Sequence, residues 1–324
     1  MGSIGIVGAT GLVGTKMMEI IHQRNVFDGF RISAFASASS AGTTVQLGDR
    51  EVSVERLQTE TIEPGTVLLG ATEAEVALRW VPECVEKGAV VVDNSSAYRM
   101  DDDVPLVVPE VNAHALVGHK GIVANPNCST IQLVMVLAPL SDLSPIEWVC
   151  VSTYQSVSGS GRQAMEDLFS QEAGEECSEG APVYHRNVLT EIGTPEDDGY
   201  CREETKLIRE TAKILRQEFP VFPAAARVPV PVGHTESVTV CFAGPVDPED
   251  AYSVLDETAG VRASSGGLSP SEATGKDEVF VGRIRRHPHH ANVVQFWITA
   301  DNLRKGAALN AVQIAEEILA SEAI

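Results

Sequence analysis

SIGIVGATGLVG, residues 3–14, sets Gly8, Gly11 and Gly14 directly after a short apolar run and at the opening of a helical pattern. Glycines so placed let the backbone turn tightly and let a pyrophosphate approach a helix N-terminus, so the stretch reads as the strand, turn and helix of a dinucleotide-binding unit. Its spacing is GxxGxxG, not the commoner GxGxxG, and a plain tight turn is the alternative reading.

Working outward, the runs RISAFAS (31–37), TVLLGA (66–71), AVVVDNS (89–95) and GIVANP (121–126) read as further strands. Between the first two strands lies GLVGTKMMEIIHQR, with Val13, Met17, Ile20 and Ile21 on one helical face, and ATEAEVALRWVPECVEKG repeats the arrangement before the fourth. Strands alternating with helices predict a doubly wound parallel sheet. Beyond Cys128 the pattern changes to WVCVSTYQSVSG, ARVPVPVG and ESVTVCFAG as strands, with a helix near EETKLIRETAKILRQEF, which predicts an α+β domain. A last helical period runs through Ala308, Val312, Ala315 and Leu319; SQEAGEECSEGAP and RASSGGLSPSEATGKDE read as surface loops.

The 324 residues carry 24 Lys and Arg against 45 Asp and Glu, a formal charge of −21. Such a surface repels nucleic acid and anionic membranes, while a few cations in a cleft still suit a small anion. The start lacks the pattern of a signal peptide, and no run approaches the roughly 18 apolar residues of a membrane span, so a cytoplasmic protein is expected. Six cysteines without paired spacing argue against a disulfide framework or a zinc site. HPHH, 287–290, reads as a solvated loop, and no metal is expected.

Two further stretches bear on chemistry. The segment after the second strand, FASASSAGT (35–43), lacks the carboxylate that holds a ribose 2′-hydroxyl in NAD enzymes, and no acid follows until Asp49. Ser37, Ser39 and Ser40 offer hydrogen bonds to a 2′-phosphate, although no Arg or Lys stands in the stretch; NADP is favoured and NAD stays open. In NPNCST, 125–130, Cys128 falls where an apolar helix begins, a place that stabilises a thiolate. RVPVPVGHTES, 227–237, adds Arg227 and His234, with Gly233 free to turn the histidine inward. A nucleotide turn, a helix-start thiol and a histidine together suggest thiol-dependent hydride transfer, in which a thiolate adds to an aldehyde and hydride departs to leave a thioester.

GATGLVG, DNSSAYRM, PLVVPEVN, ANPNCST, STYQSVSGSG, EETK, RVPVPVGHTES, VFVGRIR and DNLRKGAA run almost end to end along the chain, which resembles the aspartate-β-semialdehyde dehydrogenase family. The resemblance implies a Rossmann-type NADP-binding domain, 1–127 with 304–324, and an α+β catalytic and dimerisation domain, 128–303. It implies Cys128 as acyl-thioester nucleophile, His234 as acid/base and Gln155 as the orienting amide. Arg227 would fork onto the substrate α-carboxylate, Glu203 would face its ammonium, and Arg99 with Lys206 would bind phosphate. NADP contacts are implied for Thr10, Gly11, Leu12, Val13, Ser39, Ser40, Ser158, Gly159 and Asn302, beside the turn at Gly8 and the hydroxyl of Ser37.

The implied substrates are aspartate semialdehyde and phosphate, in lysine (diaminopimelate), threonine and methionine biosynthesis, and the implied assembly is a homodimer or a tetramer. Two departures touch the cofactor: Ser39 stands where the family often has Arg, and GATE puts Glu73 where many members have a small loop. The competing readings are another thiol-dependent acyl-phosphate or acyl-CoA reductase on this scaffold, and a non-catalytic cofactor-binding relative.

Overall fold

The computed structural model describes residues 2–322 and divides into two compact units, Met1–Asn127 with Ala307–Ile324, and Cys128–Gly306. The first opens with β1 (Ser3–Val7), α1 (Leu12–Arg24), β2 (Arg31–Ala36), β3 (Thr44–Leu47) and β4 (Arg50–Arg56). It continues through β5 (Val67–Gly70), α2 (Ala74–Glu86), β6 (Val90–Asp93), α3 (Pro109–Asn112) and β7 (Ile122–Ala124). The sheet order is β3-β4-β2-β1-β5-β6-β7, parallel except for the β3–β4 hairpin. The β1 strand is central and almost wholly buried, which explains its unbroken apolar run. Helix α1 buries Met17, Met18, Ile20 and Ile21 and ends at Asn25, whose left-handed φ of 53° lets its N–H cap Ile21.

The second unit runs α4 (Cys128–Leu143), β8 (Ile146–Gln155), α5 (Arg162–Ala173), α6 (Arg202–Leu215), β9 (Val221–Arg227) and β10 (His234–Phe242). Then come α7 (Pro248–Glu257), β11 (Val261–Ser264), α8 (Pro270–Ala273), β12 (Val279–His287) and β13 (His290–Ala300). Its mixed six-stranded sheet has the order β11-β12-β13-β10-β8-β9. Helix α4 is apolar around most of its circumference and is accordingly buried, packed on α6 and α7. One face of the sheet buries Val149, Val151, Val238, Val240, Phe296 and Ile298; alternation turns Trp148, Tyr154, Phe222 and Trp297 to the other. The chain then returns to the first unit with α9 (Leu309–Glu322), which packs on α1 and adds Leu309, Val312, Ile314, Ala315 and Ile318 to its core.

The structure corrects several expectations. RVPVPV is not a strand: β9 is VFPAAAR and ends at Arg227, because the prolines that follow cannot supply ladder donors. Arg227 is turned inward by the alternation of VFPAAAR instead. RAS of the expected loop at 262–278 belongs to β11, and α8 begins at Pro270 within it. HPHH is the tip of the β12–β13 hairpin, with His287 opposite His290. The β3–β4 hairpin and strands β11 to β13 have no counterpart in the sequence reading. Among the described residues, no cluster of three or more His, Cys, Asp or Glu is placed to hold a metal, and no helix is long and apolar enough to cross a membrane.

Candidate active site

Gln155 and Arg227 close β8 and β9 as direct partners in the parallel register, so the sheet itself brings an amide and a guanidinium side by side. Arg227 Nη1 donates to Gln155 Oε1 at 3.3 Å and to the Ser156 carbonyl at 2.9 Å. Gln155 Nε2 donates to Glu203 Oε1 at 3.2 Å, and Lys206 Nζ lies 2.8 Å from Glu203 Oε2. Glu203 lies in the first turn of α6 and Lys206 follows it by three residues; the helix start is fixed by Glu204 accepting from the Cys201 N–H at 2.9 Å. Gln155, Glu203 and Arg227 are buried and Lys206 partly so. Burial pulls the Arg227 guanidinium below its usual value, and Glu203, Cys128 and Tyr184 pull it back up, which puts the thiol within electrostatic reach of this arginine.

His234 opens β10 and is fully buried. Gly233 before it has φ +97°, a conformation that favours glycine. The Ser156 N–H donates to His234 Nδ1 at 3.0 Å, and Ser156 Oγ lies 3.0 Å from the same nitrogen. An accepting Nδ1 leaves the proton of the neutral ring on Nε2, which has no hydrogen-bond partner among the described residues. Burial first, and Arg227 second, lower the imidazole to about 3, so the ring is neutral at physiological pH. A Cβ added to Gly159 would come within 2.7 Å of Arg227 Nη1 and 3.4 Å of His234 Nε2, so this glycine keeps the space between them open.

Cys128 is the first residue of α4, partly exposed and not in a disulfide. Gly306 packs against it, and a Cβ there would stand 3.0 Å from Cys128 Cβ. One buried carboxyl has no counterpart in the sequence reading. Glu236, two residues along β10 from His234, lies without a hydrogen-bonded partner among the described residues, and burial pushes it well above the usual carboxylate range. Gln132, one turn after Cys128 on α4, faces it.

Asn302 and Ser158, expected at the cofactor, are tied into the histidine's support. Asn302 Oδ1 accepts from Ser156 Oγ at 2.9 Å and from the Gly233 N–H at 2.9 Å, and Asn302 Nδ2 donates to Ser158 Oγ at 3.0 Å. Ser156 is the residue that sequence reasoning missed; it sits beside Gln155 in TYQSVSG, but only the fold shows that its amide meets the imidazole.

The remaining expected residues belong to the first unit. Arg99 is buried there and donates to the carbonyls of Asn125 and Asn94, each at 2.9 Å. Gly8 has φ +88°, and a Cβ on it would stand 2.9 Å from the Ala71 carbonyl carbon; one on Gly14 would stand 2.7 Å from Ala9 Cα. Gly11 precedes α1 without a side-chain cap, so the amides of Leu12 and Val13 open the helix beside Thr10. Ser37 and Ser39 share a hydrogen bond of 2.8 Å in the exposed turn after β2, and Ser40 closes that turn. Glu73 is exposed just before α2.

Family models agree with this division: residues 3–119 match the semialdehyde dehydrogenase NAD binding domain, and residues 137–305 the semialdehyde dehydrogenase dimerisation domain. The chain is 39% identical to the aspartate-semialdehyde dehydrogenase of Bacillus subtilis, covering 97% of this chain and 96% of that one. It is 41% identical to that of Aquifex aeolicus, over 97% and 96%. The chain belongs to the aspartate-semialdehyde dehydrogenase family. Within it, the solved aspartate semialdehyde dehydrogenase II of Vibrio cholerae, complexed with ASA, superposes with a TM-score of 0.93 at 37% identity over 98% of both chains. The enzyme of Candida albicans with NADP superposes at 0.77 with 26% identity over the whole of both. As a member of this family the protein is an oxidoreductase with a Rossmann-type dinucleotide-binding domain and a dimerisation domain.

Proposed function

We propose that the protein is an NADP-dependent aspartate-semialdehyde dehydrogenase, interconverting L-aspartate 4-semialdehyde and L-4-aspartyl phosphate in lysine, threonine and methionine biosynthesis. The observation that carries this reading is the buried polar chain Lys206–Glu203–Gln155–Arg227, which ends beside His234 in the unit that begins at Cys128. A free amino acid offers one carboxylate and one ammonium. Arg227 suits the first as a bidentate fork and Glu203 the second, whereas an N-acetylated substrate has no cation for Glu203.

The first unit fits a dinucleotide, because the turn at Gly8 and Gly14 leaves no room for a Cβ and opens onto the start of α1. When bound, NADP accepts or returns hydride. Cys128, as the thiolate, adds to the aldehyde carbon, and the carbonyl oxygen takes the negative charge. His234 meets that oxygen with its Nε2–H, its other nitrogen being held by Ser156. Gln155 orients the adduct. Hydride loss from the same carbon leaves an acyl-thioester on Cys128; phosphate, for which Lys206 is the cation in this unit, then attacks the acyl carbon and the thiolate departs. The outer sheet face carrying Trp148, Tyr154, Phe222 and Trp297 supports a homodimer through the dimerisation domain.

The test omits phosphate. Enzyme mixed with aspartate semialdehyde and NADP should gain the mass of an aspartyl group as one equivalent of NADPH forms, and Cys128→Ala should gain neither while losing about 10⁴-fold or more in turnover. A Cys128→Ala enzyme that turns over at the wild-type rate would sink the mechanism.

A further inference from the structure

The turn after β2 offers three hydroxyls to a phosphate but no cation, and the fold brings one in from elsewhere. The parallel pairing of β2 with β4 runs Ala34 to Val54, Phe35 to Glu55 and Ala36 to Arg56. Arg56 is the last residue of β4, and therefore stands beside the last residue of β2, one strand spacing of about 4.8 Å away. Both strands end at the carboxyl edge of the parallel sheet, where open α/β folds bind their ligands.

The serine turn is laced to β4. Gly42 N–H donates to the Val54 carbonyl at 2.9 Å, and Val54 N–H donates to the Thr43 carbonyl at 2.8 Å. The hydrogen-bonded pair Ser37–Ser39 is thus held at the same edge as Arg56 by backbone.

Arg56 is also uncommitted. In a chain with 45 acidic residues against 24 basic ones, Arg24, Arg31, Arg262 and Arg304 all pair with carboxylates. Arg56 is exposed and has no ion pair or side-chain hydrogen bond among the described residues. It also borders an open cleft of about 460 Å³ with Arg79 and Trp80 whose lining does not include the serines, so it is the strand register that sets Arg56 beside their turn. Of the two carboxylates on that cleft, Glu83 is engaged by Thr59 Oγ1 at 2.7 Å; Glu60 is the other.

We infer that Arg56 supplies the positive charge for the 2′-phosphate of NADP, the task that an arginine in the turn itself would perform if Ser39 were one. The inference rests on the proposed use of NADP. It assigns cofactor choice to a residue 17 positions after Ser39 in sequence, brought alongside the serine turn by strand pairing.

Calorimetric titration of the intact enzyme with adenosine 2′,5′-bisphosphate and with 5′-AMP isolates the phosphate, because the two probes differ only there. The wild type should prefer the bisphosphate. Arg56→Ala should weaken bisphosphate binding by about tenfold, the scale of one charge-assisted hydrogen bond, and leave 5′-AMP binding and thermal unfolding unchanged. Arg56→Glu should move the NADP-to-NAD ratio of kcat/KM towards NAD. A wild type that binds both probes equally would overturn the NADP reading itself. A wild-type preference that survives Arg56→Ala intact would overturn the role of Arg56 and leave NADP use standing.

Discussion

His234 is held by two different constraints that agree. The Ser156 amide requires Nδ1 to accept, and burial next to Arg227 keeps the ring uncharged down to about pH 3. Its pKa is depressed, so its contribution to folding stability is full above the unfolded value of 6.5 and is lost as pH falls through the window towards 3. The same fact bears on catalysis: an acid limb in the rate profile between pH 5 and 8 belongs to another group. His234→Gln should lower kcat by about 10²- to 10⁴-fold and leave the midpoint of that limb where it is in the wild type. A limb that vanishes with the imidazole would show that the ring titrates there after all.

Helix α4 and strand β10 carry Cys128 and His234, and the buried carboxyl of Glu236 on β10 faces Gln132 on α4, its pKa raised by burial. Its folded value stands well above the unfolded value of 4.5, so folding takes up a proton in that window. The stability it contributes is complete below 4.5 and is lost as pH rises. Glu236→Gln keeps the shape without the titration, and thermal unfolding should show the variant gaining on the wild type as pH rises, by roughly 2 °C or more at pH 8. A difference that is constant with pH would mean that the carboxyl is charged in the folded protein.

What could be read from the sequence follows the same division between local and distant. The turn at Gly8 and Gly14 and the helix start at Cys128 are set by neighbours in sequence, and both were legible. RVPVPV reads as a strand and is not one, because alternation alone cannot tell a strand from a proline-rich exit. Ser156 against His234, Arg56 beside Ala36 and Glu236 facing Gln132 are created by strand pairing or by helix-on-sheet packing across long separations. No window of sequence contains them.

For the molecule as a whole, the charge of −21 keeps copies apart unless a patch overcomes it. We propose the outer face of the six-stranded sheet as that patch, because it gathers aromatic rings: Tyr154 stacks on Trp297 with ring centroids 5.8 Å apart, and Phe222 stands edge-on to Trp148 at 6.5 Å. A carboxylate in this face should add repulsion where association needs apolar contact. Tyr154→Asp should shift sedimentation from dimer to monomer, most strongly at low salt where screening is weakest. A dimer unchanged by the substitution would place the contact on another surface.

The return of α9 to the first unit has a consequence for how the protein is made. Leu309, Val312, Ile314, Ala315 and Ile318 fill a core shared with α1, yet the ribosome releases them only after all of Cys128–Gly306 has emerged. The unit translated first is therefore the one completed last, and its apolar sheet face stays open for most of synthesis. Nascent chains stalled before residue 307 should be the ones that need chaperones.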